Sequence, residues 1–208
     1  MITLDKISLN FGKKNVLNNI SLSIQENDFI CIHGKSGSGK TTLLNVIGLI
    51  EHNFSGELSF EGKHNPSQKE ILHLRKEKIG YLFQNYALVE EENVFKNLEI
   101  AFHGKKVNRK SKLEKMEQSL QEVGLGRILF KKVYELSGGE QQRVALARLT
   151  LKNPKYILAD EPTGNLDWEN AHLVFEKLKE LHQNGATVVI VSHDPKIINE
   201  SIRTFELK

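Results

Sequence analysis

GKSGSGKTT, residues Gly34–Thr42, follows the short apolar run Phe29–Ile32 and leads into Thr41–Ile50, which reads as a helix. The spacing Gly34-x4-Gly39-Lys40-Thr41 satisfies the phosphate-binding loop pattern. Its flanks are the expected ones, a strand buried on both faces before it and a helix opened by glycines after it. Glycines let successive backbone N–H groups turn inward around phosphate oxygens, and a helix N-terminus adds a favourable dipole. The candidate cradle is therefore Gly34, Lys35, Ser36, Gly37, Ser38, Gly39, Lys40, Thr41 and Thr42. Lys40 is expected to reach the β- and γ-phosphates of a nucleotide, and Thr41 to offer its hydroxyl to Mg²⁺.

Working outward, Ile2–Asn10 and Val16–Ile24 alternate apolar and polar residues and predict antiparallel strands, joined by a turn with Gly12 and two lysines. Gly56–Gly62 predicts a further strand edge between turn glycines. Leu113, Met116, Leu120 and Val123 recur at helical spacing, closed by Gly124 as a C-cap. Ala171, Val174, Phe175, Leu178 and Leu181 repeat that pattern up to Asn184-Gly185. Two dense apolar strands, Tyr156–Ala159 and Thr187–Val191, come between and after, and Ile202–Leu207 reads as a last strand. Strands alternating with helices argue for a mainly parallel, helix-covered sheet. The stretch from about Gln84 to Leu136 reads as a helical insertion.

Leu158-Ala159-Asp160-Glu161 closes one of the apolar strands. Asp160 at the strand end can hold a metal through its water shell, because Mg²⁺ dehydrates reluctantly. Glu161 beside it is positioned to accept a proton from, or orient, an attacking water. Paired acids at a strand end can also be plain loop carboxylates. On spacing alone, Gln84, after the run Ile79–Phe83, and His193, in VSHD, favour structural roles over chemistry.

At 208 residues the chain suffices for one well-buried domain and is short for two. With 29 basic and 26 acidic residues the net charge is only +3, so electrostatics do not imply nucleic acid and none is expected as a partner. Cys31 is the single cysteine, which excludes an internal disulfide and fits a reducing compartment. It sits in an apolar run, where a small buried residue is the expectation. No apolar stretch approaches the roughly 20 residues of a membrane-spanning helix, and the N-terminus lacks the order of a secretory signal. The expectation is a cytosolic chain that forms no membrane pore by itself.

LSGGEQQR, Leu136–Arg143, narrows the field. Gly138 and Gly139 permit close backbone approach, and Ser137 opens a helix whose N-terminus can present donors to a phosphate. Alone, SGGE could be an ordinary helix-entry turn. Beside the other motifs it resembles the signature of ATP-binding cassette (ABC) proteins, a resemblance covering essentially the whole chain. The fold it implies is α/β: a P-loop, RecA-like core with an antiparallel β-subdomain and a helical subdomain bearing the signature, at about 85–150 of a single domain 1–208. It implies ATP and Mg²⁺ as ligands and a head-to-tail dimer with a second copy or a paralogue. In that dimer Leu136, Ser137, Gly138, Gly139 and Glu140 close over ATP on the partner's P-loop. Residue by residue, Phe11 matches the aromatic that stacks on adenine, with core packing as its other reading. Gln84 matches the glutamine that contacts Mg²⁺ and the attacking water. Asp167, in GNLD, matches the aspartate that communicates across the dimer, and could also cap the helix starting near Trp168. His193 matches the histidine that contacts the γ-phosphate. With Lys40 and Glu161 these complete the catalytic set, and Thr41, Gln84 and Asp160 the metal set.

LADEPTGNLD, with LRKEKIGYLFQ upstream, looks like the subgroup serving macrolide and peptide exporters and lipoprotein-releasing complexes. The segment VYELSGGEQQRVALARL is similar to ATPases paired with bacteriocin-type permeases. Three departures stand out: only Val133-Tyr134-Glu135 precede the signature, Trp168 replaces a small residue, and Val89 leads into Glu90-Glu91-Glu92. The resemblance implies a subunit peripheral on the inner face of the membrane, working with an integral membrane permease through about Gln84–Asn97. Its alternatives are a soluble ABC ATPase of translation, repair or cluster assembly, and a mechanotransmission ATPase that moves no solute.

Overall fold

Alternation builds the first layer. In the computed structural model, which describes residues 1–164 and 166–208, β1 (Ile2–Phe11) pairs antiparallel with β2 (Lys14–Ile24). Asn165, inside the quoted GNLD, lies outside the described residues. Along β1 the buried residues are Ile2, Leu4, Ile7 and Leu9, a switch from even to odd positions. The switch is made by an irregularity between Leu4 and Ile7, where Lys6 takes a φ of 52°, so that one bulge keeps all four side chains on the core face.

β3 (Phe29–His33) ends in the glycine loop, and α1 (Lys40–Ile47) follows it. α1 stops short of the expected Ile50 because Leu49 takes a φ of 59°, outside helical backbone. The Tyr81 phenol also lies where any side chain on Gly48 would project. β4 (Ser55–Phe60) pairs with β1, and β5 (Lys63–His64) extends that sheet to the order β2-β1-β4-β5. β4 ends before the expected Gly62, because Glu61 and Gly62, both at positive φ, form the turn into β5.

Next come α2 (Gln68–Glu77), β6 (Ile79–Leu82), α3 (Val94–Glu99), α4 (Arg109–Glu122) and α5 (Gly138–Lys152). β7 (Tyr156–Asp160), α6 (Trp168–Gln183), β8 (Thr187–Val191), α7 (Pro195–Glu200) and β9 (Arg203–Glu206) complete the order. The second sheet runs β6-β7-β8-β3-β9 with every pair parallel. Apart from the largely exposed edge strand β9, its strands are buried on both faces and split their side chains between two cores. Phe29, Cys31, Ile157, Ala159, Val188 and Ile190 pack with α4, α5 and α6. Ile30, Ile32, Leu158, Val189 and Val191 pack with α1 and the antiparallel sheet. Burial pushes the Cys31 thiol up to about 11, so it packs as a small apolar group. Among the described residues no helix is long and apolar enough to cross a membrane.

Candidate nucleotide site

The candidate residues gather where parallel sheets place their ligands, at the carboxyl ends of the strands. The glycine loop follows β3, Gln84 follows β6, Asp160 ends β7, and His193 follows β8. A cleft of about 790 Å³ is lined by Ser36, Gly37, Gly39, Lys40, Thr41 and Thr42 together with Phe11, Gln84, Glu161 and His193. Gly39 has a φ of 94°, and a side chain there would stand 2.7 Å from the Val16 carbonyl oxygen. Only glycine lets β2 pass this close to the loop. Phe11 is 54% exposed, a lining aromatic rather than a core one.

Lys40 is buried to 9% exposure, and its Nζ donates to the Gly34 and Lys35 carbonyls, both at 3.0 Å. The ammonium is thereby held inside the loop. Ser38 Oγ is buried in the same loop without a hydrogen-bond partner among the described residues. A loop with a buried ammonium, an unpaired hydroxyl and a helix N-terminus suits a polyanion.

Thr41 Oγ1 donates to Asp160 Oδ1 at 3.1 Å. Burial, partly offset by that bond, raises the Asp160 carboxyl above its ordinary range. A cation at this point would restore what burial takes from the charge. Among the described residues no group of three or more His, Cys, Asp or Glu could hold a metal. A hydroxyl bonded to one carboxylate, with Gln84 in the lining of the same cleft as Thr41, suits an ion that keeps waters and substrate phosphates among its ligands, as Mg²⁺ does.

Glu161 sits at a φ of 44°, its N–H donating to the Val191 carbonyl at 2.9 Å. This left-handed turn directly after β7 brings its carboxylate to His193, whose Nδ1 lies 2.9 Å from Oε1. The signature lies apart from the cleft. None of Leu136, Ser137, Gly138, Gly139 or Glu140 lines it, and neither does Asp167. Ser137 caps α5 in a capping box: its N–H and hydroxyl donate to Glu140 Oε2, holding that carboxyl below its usual range. Asp167 caps α6 by accepting from the Asn170 N–H at 2.9 Å.

The sequence model of the ABC transporter family matches residues 17–164. The chain belongs to the ABC transporter family. It is 43% identical over 216 residues to the macrolide export ATP-binding/permease protein MacB of Campylobacter jejuni, covering 100% of this chain and 33% of that protein. It therefore spans about a third of the MacB relatives. To the lipoprotein-releasing system ATP-binding protein LolD of Aquifex aeolicus it is 40% identical over 195 residues, covering 93% of this chain and 87% of that one. The dimeric, post-hydrolysis structure of the ATP-binding cassette MJ0796 bound to ADP and Pi superposes with a TM-score of 0.92 at 32% identity, covering 100% and 94% of the two chains.

This ABC chain also carries residues that motif reading passes over. Gln142, almost fully buried, donates from Nε2 to the Pro162 carbonyl at 2.8 Å, tying α5 to the loop that begins at Glu161. Arg148 donates from both terminal nitrogens to the carbonyls of Ala87 (2.6 Å) and Tyr86 (2.8 Å), just after Gln84. Lys14, Val16, Gly164 and Val191 join the cleft lining. Lys14 alone had a local signal, as one of the two lysines at the Gly12 turn.

Proposed function

We propose that the chain binds ATP with Mg²⁺ in this cleft and hydrolyses it as one half of a head-to-tail pair. The pair powers a membrane permease exporting a peptide, bacteriocin, drug or lipoprotein-type substrate. The observation that carries this reading is the division of the motifs. One cleft gathers the phosphate loop, Gln84, Glu161 and His193, while the signature stands outside it at the N-terminus of α5. A second copy or a paralogue would supply the missing half.

In this reading Phe11 stacks on the adenine, and the loop amides with Lys40 hold the phosphates. Thr41, Asp160 and Gln84 hold Mg²⁺, whose charge would neutralise what develops on the phosphate oxygens. Glu161 orients the attacking water and takes its proton as the bond from the γ-phosphorus to the bridging oxygen breaks, releasing ADP and phosphate. His193 Nδ1 steadies that carboxylate, leaving its other ring nitrogen for the γ-phosphate. Asp167 conveys closure between the two chains. The whole chain acts as one ABC ATPase domain, with the helical subdomain at about 85–150. The permease meets it near Gln84–Asn97, placing the chain on the inner face of the membrane. Export is favoured over import or solute-free work by the kinship with MacB, a macrolide export protein, and LolD, of a lipoprotein-releasing system.

Glu161→Gln tests the reading. The variant is expected to bind ATP, to pair more readily with ATP present, and to release phosphate at least about a hundredfold more slowly. Phosphate release at the wild-type rate would overturn the role of Glu161.

A further inference from the structure

We infer that Trp168, with His172 and Lys196, forms the centre of the contact between two copies of this chain in the ATP-closed pair. The inference rests on the head-to-tail reading above. Trp168 begins α6 and is 65% exposed. Its ring is nonetheless set in place: it stacks on His172 at 5.4 Å between centroids and 7° between planes, and Lys196 Nζ lies 5.6 Å from the ring centroid. An exposed indole in contact with both an imidazole and an ammonium has lost much of its rotamer freedom before any partner arrives.

Position identifies the partner. Lys196 stands three positions after His193, which lines the chain's own cleft. On the other side, Asn170 lies against the signature: a side chain on Gly139 would stand 3.2 Å from Asn170 Nδ2, and that amide also donates to Asp167 Oδ2 at 2.7 Å. Trp168 is thus strung between the half-site that serves its own nucleotide and the half-site that serves the partner's. In a head-to-tail pair a two-fold axis exchanges those half-sites, so it passes midway between them on the contact surface. A residue at that midpoint faces the same patch of the second copy. A large aromatic at the middle of an interface, fixed before binding, is the arrangement expected of an energetic anchor.

Trp168 is the only tryptophan, so the chain carries its own reporter. In Glu161→Gln with ATP and Mg²⁺, Trp168 emission is expected to shift to the blue and acrylamide quenching to fall. Both should track protein concentration as sedimentation velocity shows pairing. Adding Trp168→Ala should raise the dissociation constant of the pair by about tenfold or more, and Trp168→Phe by less. ATP affinity of the single chain, measured by titration calorimetry, should be unchanged in both. Pairing with no change in emission or quenching, or a Trp168→Ala pair of unchanged dissociation constant, would overturn this inference and leave the ATPase reading standing. Absence of ATP-dependent pairing in Glu161→Gln would remove both.

Discussion

His193 Nδ1 stands 2.9 Å from Glu161 Oε1, joining two strand-end loops that are 32 positions apart in the chain. Glu161 is the less exposed of the two side chains, at 15% against 72% for His193, so the ring closes over a carboxylate already seated in the cleft. The contact orients the group proposed to handle the water, and makes no demand on the phosphate loop.

His193→Ala should therefore lower kcat by about a hundredfold, the lower range for loss of an acid–base or orienting group. ATP affinity should shift less than about threefold, as expected when a group contributes mainly in the transition state. Phosphate-release kinetics alongside equilibrium nucleotide binding separate the two effects. An equal loss of affinity and turnover would assign His193 to ground-state binding instead.

Arg148 bonds two consecutive carbonyls of residues held at positive φ, Tyr86 at 63° and Ala87 at 46°. Lysine offers a point charge where this site uses a fork. Arg148→Lys should cost about 1–2 kcal/mol in urea unfolding. By loosening the segment after Gln84, it should also reduce turnover more than ATP affinity. Unfolding and kcat both at wild-type values would show that the carbonyls find other partners.

Glu61 supplies the pH dependence. Burial opposes its charge, but the ammonium groups of Lys155 and Lys78 hold the carboxyl down at about 2, against an ordinary 4.5. A carboxyl with a lower pKa folded than unfolded stabilises the fold fully above the unfolded value, and that stability drains away as pH falls towards the folded one. Glu61→Gln should cost about 1–2 kcal/mol at pH 7, discounted for partial exposure. Thermal melts from pH 7 down to about 3 should show the wild type and the variant converging. A gap constant over that range would show that Glu61 acts through packing.

Much of this architecture is legible locally. The phosphate loop needs only its own glycines and flanking strand, and β8 shows itself as five consecutive buried residues. The antiparallel strands announce themselves by alternation. α2 leaves little apolar period in the sequence because only Ile71 and Leu74 of its ten residues are buried, although Ser67 and Glu70 form a readable capping box. Short α7 offers one buried side chain, too few for a period. The site divides in the same way. Lys40, Asp160 and Glu161 are marked by the motif residues beside them, although Thr41 and His193, which bond Asp160 and Glu161, are distant in the chain. Gln142 and Arg148 act on carbonyls 20 and 62 positions away, and nothing nearby in the chain names those partners.

These last two contacts share one helix. Ser137 caps α5, Gln142 fastens it to Pro162, and Arg148 fastens it to Tyr86 and Ala87. The span from cap to last fastening is about 16 Å at the rise of an α-helix. One rod therefore carries the signature at its tip and pins two edges of the nucleotide cleft along its shaft. In the head-to-tail pair proposed above, a load at that tip would reach both edges of the cleft through one helix, and the partner's nucleotide and the chain's own would be coupled through a single mechanical coordinate.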